Sequence, residues 1–490
     1  MINQSYDEKI CAWLEANRER ILQEWMELVR IPSTKGEAKP EAPFGIRCAE
    51  VIRAAADTFS RRGIPVRIAP ENRYVIACIG SGEKCIGIFG HGDVVPAGDG
   101  WLFTQPFDPI IKDGMLIGRG ASDNKSGVMA SLCVLSMLKE CGIPIHNRIQ
   151  AFVGSNEESG MDDIIEFVEH EPMPDLNLVP DAAFPCSLGE KGILHMWAKC
   201  GRPFEAILDM QGGNAFNIIL DRVTTRIAPN EALANELKAK CDGCSEYDLY
   251  IQTDGTICLQ AVGVSQHAAY PTKDSVNATW LTAKLLCSCK NLPEGDKEIL
   301  RTPEKFLGTF HGEGLDIRHS DLEYGPLTAA NGMVATEDGR LKVSLDVRYS
   351  ANLEPEKLEA LLYQRWQEQG WKIVYMKNSP GFRVDRQSTV PEMFKGIYKK
   401  LSGNENDFYF MQGGSYSRYL KNAFTVGSCI IASDRDRSNR FIPAGHGGAH
   451  QRDEAIDIEG FFLAVRVLAH YVIGCDEYLS QRESTVGENC

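Results

Sequence analysis

His91 and Asp93 are the first side chains along this sequence whose types and spacing can do chemistry. The run before them, with Ile86, Ile88 and Phe89, reads as a buried strand that stops at Gly90. Alternate residues of an extended chain share a face, so Asp93 can reach the His91 ring or something bound to it. A carboxylate in that position fixes the imidazole tautomer and raises its basicity, which is how a metal-bound histidine is usually supported. Asp123 closes a second glycine-flanked stretch, Gly118-Arg-Gly-Ala-Ser-Asp123-Asn-Lys, where backbone can pass close to an ion. A His-x-Asp turn alone is commonplace on protein surfaces, so the weight falls on what else the chain supplies.

It supplies more carboxylates at the same kind of place. The predicted strand Arg148–Val153 runs into Gly154-Ser-Asn-Glu157-Glu158-Ser-Gly160, and Leu176–Val179 ends at Pro180-Asp181. His450 lies in Gly445-His446-Gly-Gly-Ala-His450-Gln-Arg-Asp-Glu454, just before the last long helix, with His446 as a rival in the same segment. His91, Asp93, Glu157, Glu158 and Asp181 are thus expected just past strand ends, where ligand sites of α/β sheets gather. One bridging carboxylate, Asp123, with a nitrogen and an oxygen ligand on either side would hold two Zn²⁺ ions about 3.5–4 Å apart, as two-metal hydrolases do. Neighbours on one extended strand cannot both point at the same ion. One of Glu157 and Glu158 is therefore expected to ligate while the other faces the attacking water as general base.

The elements that must position these residues read as an alternating α/β region interrupted by an insertion. Helices are predicted from a Ser5-x-x-Glu8 capping box, over about Ile46–Arg62, over Lys125–Lys139 and over Ile456–Ile473, with strands at Val66–Ile68, Tyr74–Ile79 and Cys85–Phe89. From Gly189 to about Gly381 the texture changes to strand pairs and helices without carboxylates at glycine turns. The expected division is a catalytic domain over 1–188 and 382–490, with an inserted domain over 189–381. At 490 residues the chain exceeds what one core normally serves.

Composition removes several function classes. A net charge of −15 argues against nucleic acid or an anionic membrane as the main partner. The best apolar run, Phe461–Gly474, is short for a membrane span and contains Arg466. The first residues carry neither a basic nor an apolar leader pattern, and the 16 cysteines lack a paired framework, so reduced thiols in a cytoplasmic protein are expected. Cys241-x-x-Cys244 and Cys287-x-Cys289 are read as free thiols, since no second matching pair completes a zinc site.

Taken together, His91-Gly-Asp93-Val-Val-Pro, the Asp123 stretch, Asn156-Glu157-Glu158-Ser-Gly160 and Pro180-Asp181 resemble the co-catalytic zinc peptidases that include aminoacylase, carnosinase and succinyl-diaminopimelate desuccinylase. Asp181-Ala-Ala-Phe-Pro185, Gly189-Glu-Lys-Gly-Ile193 and Gly413-Gly-Ser-Tyr-Ser-Arg418 are similar to the PepV-type dipeptidase branch, and the likeness spans nearly the whole chain. The resemblance implies a mixed sheet flanked by helices with an inserted α+β lid. It makes His91 and Asp181 ligands of one zinc, Glu158 and His450 ligands of the other, and Asp123 the bridge, with Mn²⁺ or Co²⁺ also compatible with such ligands. It makes Asp93 the residue that orients His91, and Glu157 the base that takes a proton from water and returns it to the leaving nitrogen. It favours His450 over His446, because the family's histidine precedes a Gln-x-x-Glu start of the final helix.

In the insertion, Ser265-Gln-His267-Ala-Ala-Tyr-Pro271 resembles the family's lid motif, whose histidine would donate a hydrogen bond to the developing oxyanion. Asn217 and Arg348 match substrate-holding lid positions, and Gly413, Gly414, Ser415 and Arg418 would capture a terminal carboxylate. The sequence departs from the family pattern at Asn124, where many relatives have a second Asp, at Gly445–Ala449, and at Gln266, Ala269 and Tyr270. The expectation is a di-zinc dipeptidase acting on small dipeptides with a free C-terminal carboxylate. It would work as a monomer, with a dimer as the alternative. An N-acyl amino acid or succinyl-diamino acid deacylase with the same metals is the nearest rival, and a non-catalytic peptide or metal binder the third reading.

Overall fold

The computed structural model describes residues 2–431, 441–443 and 445–487. The chain divides into two compact units, one of Met1–Leu188, Val384–Tyr409 and Ser415–Cys490, the other of Gly189–Arg383 and Phe410–Gly414. The return to the first unit thus begins at Val384, and the short segment Phe410–Gly414 groups with the second.

The first unit is built on a six-stranded sheet in the order Val66–Ile68, Tyr74–Ile79, Arg148–Gly154, Cys85–His91, Leu176–Ala182, Ala423–Gly427. The first two strands run antiparallel, and the last four are mutually parallel. Parallel strands need both faces covered. One face meets the helix Lys125–Glu140, whose residues from Lys125 to Leu138 are all buried, and this helix in turn packs against Gln4–Val29 and the long helix Ile458–Gly487. An aromatic cluster forms where Phe89 and Phe152, paired across adjacent strands, meet Tyr74, Phe167 and Tyr416.

Several expectations are corrected in detail. Asn3, not Ser5, caps the first helix: its side chain accepts the N–H groups of Ser5 and Tyr6, so the helix begins at Gln4. The helices Asp162–His170 and Glu294–Phe306 were not anticipated, being short and rich in charge. Ile458–Gln481 is long and apolar enough to cross a membrane, yet 78% of its most apolar window is buried inside the fold. Asp7 grips its Arg466 through two hydrogen bonds of 2.7 and 2.6 Å, as befits a core helix. All cysteines among the described residues are free.

The second unit holds two antiparallel sheets. One runs Thr328–Ala330, Arg340–Tyr349, Gly192–Cys200, Trp371–Ser379, with Val334–Glu337 also paired to Arg340–Tyr349. The other runs Ile207–Gln211, Arg222–Ile227, Ile257–Val262, Tyr247–Ile251. In Gly192–Cys200 burial alternates strictly, so Leu194, Met196 and Ala198 face the core while His195, Trp197 and Lys199 face away.

Candidate active site

Strand register brings the candidate ligands to one edge of the first unit's sheet. His91 is the last residue of its strand and pairs with Gly154, so the Glu157-Glu158 turn begins three residues beyond that edge. Ile88 pairs with Leu178 in the neighbouring parallel strand, and the same offset sets Asp181 beside His91. Asp181 lies within its strand, which extends to Ala182, rather than past its end. Close approach here requires glycine: a Cβ on Gly127, in the first turn of Lys125–Glu140, would lie 2.4 Å from Asn124 Oδ1 and 2.7 Å from the Pro180 carbonyl oxygen.

Asp123 stands at the centre. Its Oδ1 is 3.3 Å from Nε2 of His91, and its Oδ2 is 3.1 Å from Nε2 of His450. His91 Nε2 is also 3.8 Å from Asp181 Oδ2, and His450 Nε2 is 3.0 Å from Glu158 Oε1. His446 does not join this group. Its Nδ1 is 2.6 Å from Asp453 Oδ2, and Asp453 accepts the N–H groups of Leu102 and Phe103.

Asp93 supports the site differently from expectation. The His91 Nδ1 hydrogen bond, 3.0 Å, goes to the backbone carbonyl of Asp93, with the carboxylate at 3.4 Å. That carboxylate instead accepts the backbone N–H groups of Glu157 and Glu158, each at 3.2 Å. A carbonyl oxygen can only accept, so Nδ1 of His91 carries a proton, and in the neutral imidazole the lone pair is on Nε2. This Nε2 is buried without a hydrogen-bond partner, as is Oε1 of Glu157.

The carboxylate pair lies in a single tight turn, Glu157–Ser159, not in an extended strand. The curl is imposed from two sides: Asp93 holds the N–H groups of both glutamates, and the buried carboxylate of Asp163 holds those of Ser155 and Asn156 at 2.7 and 2.8 Å. With three residues per turn, adjacent side chains diverge by about 120°, so the two glutamates still point apart.

The electrostatics of this group favour a positive charge among the carboxylates. Burial opposes a charge on His91 and on His450, but the surrounding carboxylates outweigh it; His91 is held well above its usual range and His450 is raised to about 11. Burial, then repulsion by Asp123, pushes Glu158 up to about 7, and burial with three neighbouring carboxylates pushes Glu157 well above the usual range despite His91. Asp123 is driven the other way: burial raises it, and the two imidazoles more than reverse that. At these distances each imidazole Nε2 and the carboxylate oxygens facing it need a positive charge between them, a proton or a metal ion. The donor set, two imidazoles and carboxylate oxygens, suits zinc and similar divalent ions.

Two supporting residues escaped the sequence reading. Glu454 is fully buried; its Oε1 accepts the N–H groups of Ser122 and Asp123, each at 2.9 Å, and its Oε2 accepts from Gly120 and Arg119. Asp163 adds to its backbone bonds a 2.6 Å bond from the Tyr416 hydroxyl. Asp163 is marked by neither type nor spacing, and Glu454, the last residue of the Gln451-x-x-Glu454 pattern, was given no role by it; burial distinguishes both. Asn124, a departure in the sequence, has a task that Asp could not perform: its Nδ2 donates to the Pro180 carbonyl and to Asp181 Oδ1, while its Oδ1 accepts the His91 N–H.

The remaining candidates fall as follows. Asn217, His267 and Arg348 belong to the second unit, where the Asn217 carbonyl accepts the Ala268 N–H at 2.9 Å and Ile218 bridges to His267. His267 Nδ1 accepts the Ala269 N–H at 3.1 Å. Gly413 and Gly414 group with the second unit, whereas Ser415 and Arg418 group with the first. Ser415 is buried and its side chain accepts the Ser417 N–H, capping the short turn Tyr416–Tyr419.

Residues 87–473 match the family model described as peptidase family M20/M25/M40. The chain belongs to this metallopeptidase family. Among similar M20 proteins, the putative dipeptidase YtjP of Bacillus subtilis (strain 168) is 26% identical over 93% of this chain and 97% of its own. The putative dipeptidase SSP1012 of Staphylococcus saprophyticus is 27% identical over 72% of this chain and 78% of its own. The M20 fold is equally clear in solved structures. The di-peptidase Dug1p of Saccharomyces cerevisiae superposes with a TM-score of 0.58 at 13% identity, covering 96% of this chain and 98% of the other. Human carnosine dipeptidase 1 gives 0.57 at 15% identity, covering 96% and 99%.

Proposed function

We propose that this M20 protein is a di-metal dipeptidase that cleaves the amide bond of dipeptides bearing a free C-terminal carboxylate. The observation that carries the reading is the placement of Asp123 between His91 and His450, one carboxylate oxygen toward each imidazole. In this reading His91 and Asp181 hold one divalent cation, Glu158 and His450 the other, and Asp123 both. Zinc suits the donors best, with Mn²⁺ and Co²⁺ as alternatives. Such cations supply Lewis acidity, polarising the scissile carbonyl and easing the ionisation of water at neutral pH.

The chain's own residues do the rest. Glu157, divergent from Glu158 and with an unpartnered buried oxygen, takes a proton from the attacking water and returns it to the departing amine nitrogen. Asp93 keeps the His91 proton on Nδ1 and holds the glutamate turn, so one residue sets both ligand and base. His267 accepts a backbone N–H on Nδ1, which puts the proton of its neutral form on Nε2, ready to donate to an oxyanion. Asn217 and Arg348 hold the substrate, and Gly413, Gly414, Ser415 and Arg418 receive its carboxylate through backbone amides and a guanidinium.

The names of the relatives support a small peptide substrate, and the reading takes the enzyme as a cytoplasmic monomer. The free thiols fit that compartment. A panel of dipeptides against N-acyl amino acids and succinylated diamines tests the reading. Hydrolysis of dipeptides is expected; activity confined to the acyl compounds would make the protein a deacylase with the same metal site. Sedimentation of the active enzyme tests the monomer.

A further inference from the structure

Asp346 is fully buried, yet it sits on the face of its sheet that points away from the core, paired with His195 of the neighbouring strand. Its two oxygens serve two cationic or polar partners. Arg348, two residues on and therefore on the same face, donates from Nε at 2.7 Å and from Nη2 at 2.8 Å. His195 Nε2 lies 2.9 Å from Oδ2. The two-point grip fixes the plane of the guanidinium, and Nη1 is the edge left over from it. Burial opposes the charge on Asp346, but Arg348 and His195 hold it down at about 2, so it stays ionised throughout the physiological range.

The His195 ring has a second neighbour. Phe216 stacks on it, with centroids 4.6 Å apart and planes 10° from parallel, and touches Trp197 edge-on at 5.9 Å. Phe216 immediately precedes Asn217, whose carbonyl accepts the Ala268 N–H. Ile218 and His267 form a bridge, and the Ile219 N–H donates to Gln266. A continuous set of contacts thus runs from one carboxylate to all three substrate-handling candidates of the second unit.

We infer that Asp346 is the positioning residue of that group: it fixes Arg348 directly and, through His195 and the Phe216 stack, seats the segments carrying Asn217 and His267. The inference rests on the proposed role of those three residues in the dipeptidase reading, although the contacts themselves do not. Asp346 acts through other residues and touches no substrate.

The test pairs hydrogen exchange with kinetics on the full-length metal-loaded protein. D346N keeps the side-chain volume but cannot grip Arg348 and His195 at once. Its Ile219 and Ala268 amides are expected to exchange at least tenfold faster, with the core strand Ile257–Val262 unchanged. For dipeptides, KM is expected to rise at least tenfold, tracking R348A. H195A is expected to lower kcat at least fivefold with a smaller effect on KM, and H195F, which keeps a ring under Phe216, to recover most of that loss. Unchanged exchange at Ile219 and Ala268 in D346N overturns the inference whatever the activity. So does a normal KM in D346N when R348A raises it. If the wild-type protein leaves every dipeptide intact, the dipeptidase reading fails instead, and the exchange measurement still judges the hub. A D346N protein that does not fold is replaced by H195A and H195F, for which equal exchange and equal kinetics would overturn the inference.

Discussion

Oε1 of Glu454 accepts the backbone N–H of Asp123 at 2.9 Å, so a carboxylate that approaches no substrate decides where the central aspartate stands. The same side chain closes a buried ion pair with Arg119 at 2.6 Å. Glu454→Gln would leave Arg119 without its charge partner and turn an amide hydrogen toward groups that need an acceptor. Divalent-metal affinity, measured by titration against a chelator, is expected to fall about 10- to 100-fold. Stability is expected to fall by about 3–5 kcal/mol in denaturant unfolding. Wild-type metal affinity in the variant would refute the role.

Glu157 and Glu158 are neighbours with separate expected tasks. Glu157→Gln should keep its metal content, since the proposed ligands are intact, while turnover falls by about 10²–10⁴-fold. Glu158→Gln should instead lose metal. Metal analysis beside steady-state rates distinguishes the two, and equal metal loss in both variants would contradict the division.

Gly154 ends the strand that carries the glutamate turn. A Cβ there would fall 2.1 Å from the Tyr416 hydroxyl and 2.2 Å from Asp163 Oδ2, distances no packing tolerates. Gly154→Ala is expected to destabilise the protein by about 1–3 kcal/mol and to lower activity by shifting Glu157. Thermal unfolding and rate measurements at saturating metal check this.

Asp163 gives a pH signature. Burial raises it from 3.8 to about 6, against the hydrogen bonds of Tyr416 and the backbone. The folded state therefore binds this proton more tightly than the unfolded chain. The stabilisation is complete below about pH 4 and disappears as pH rises through 6. The stability difference between wild type and Asp163→Asn should shift by up to about 3 kcal/mol against the wild type between pH 4 and 6.5. Denaturant unfolding of chelator-treated proteins across that range measures it. A flat difference would show that Asp163 has an ordinary affinity for its proton.

Much of the site was legible because its residues follow strands. Apolar runs ending at glycine or proline located His91, the Glu157-Glu158 turn and Asp181 along the chain, and parallel register then brought them together. What escaped were the groups that act through backbone. Asp163 binds N–H groups seven and eight residues back and Glu454 those of a turn more than 300 residues away, and nothing in their neighbours marks them as buried. The carboxylate of Asp93 was assigned to the imidazole because alternate residues share a face. Yet the chain leaves the strand at His91, and the carbonyl rather than the carboxylate meets Nδ1. In the second unit, the sequence could not foretell that Phe216 would lie on the outward face of strand Gly192–Cys200.

The most direct measurement is anomalous scattering at the zinc edge from crystals of the zinc-loaded protein. Two peaks are expected, both in contact with the Asp123 carboxylate, one on the side of His91 and one on the side of His450. A single peak, or two of which Asp123 touches only one, would contradict the account.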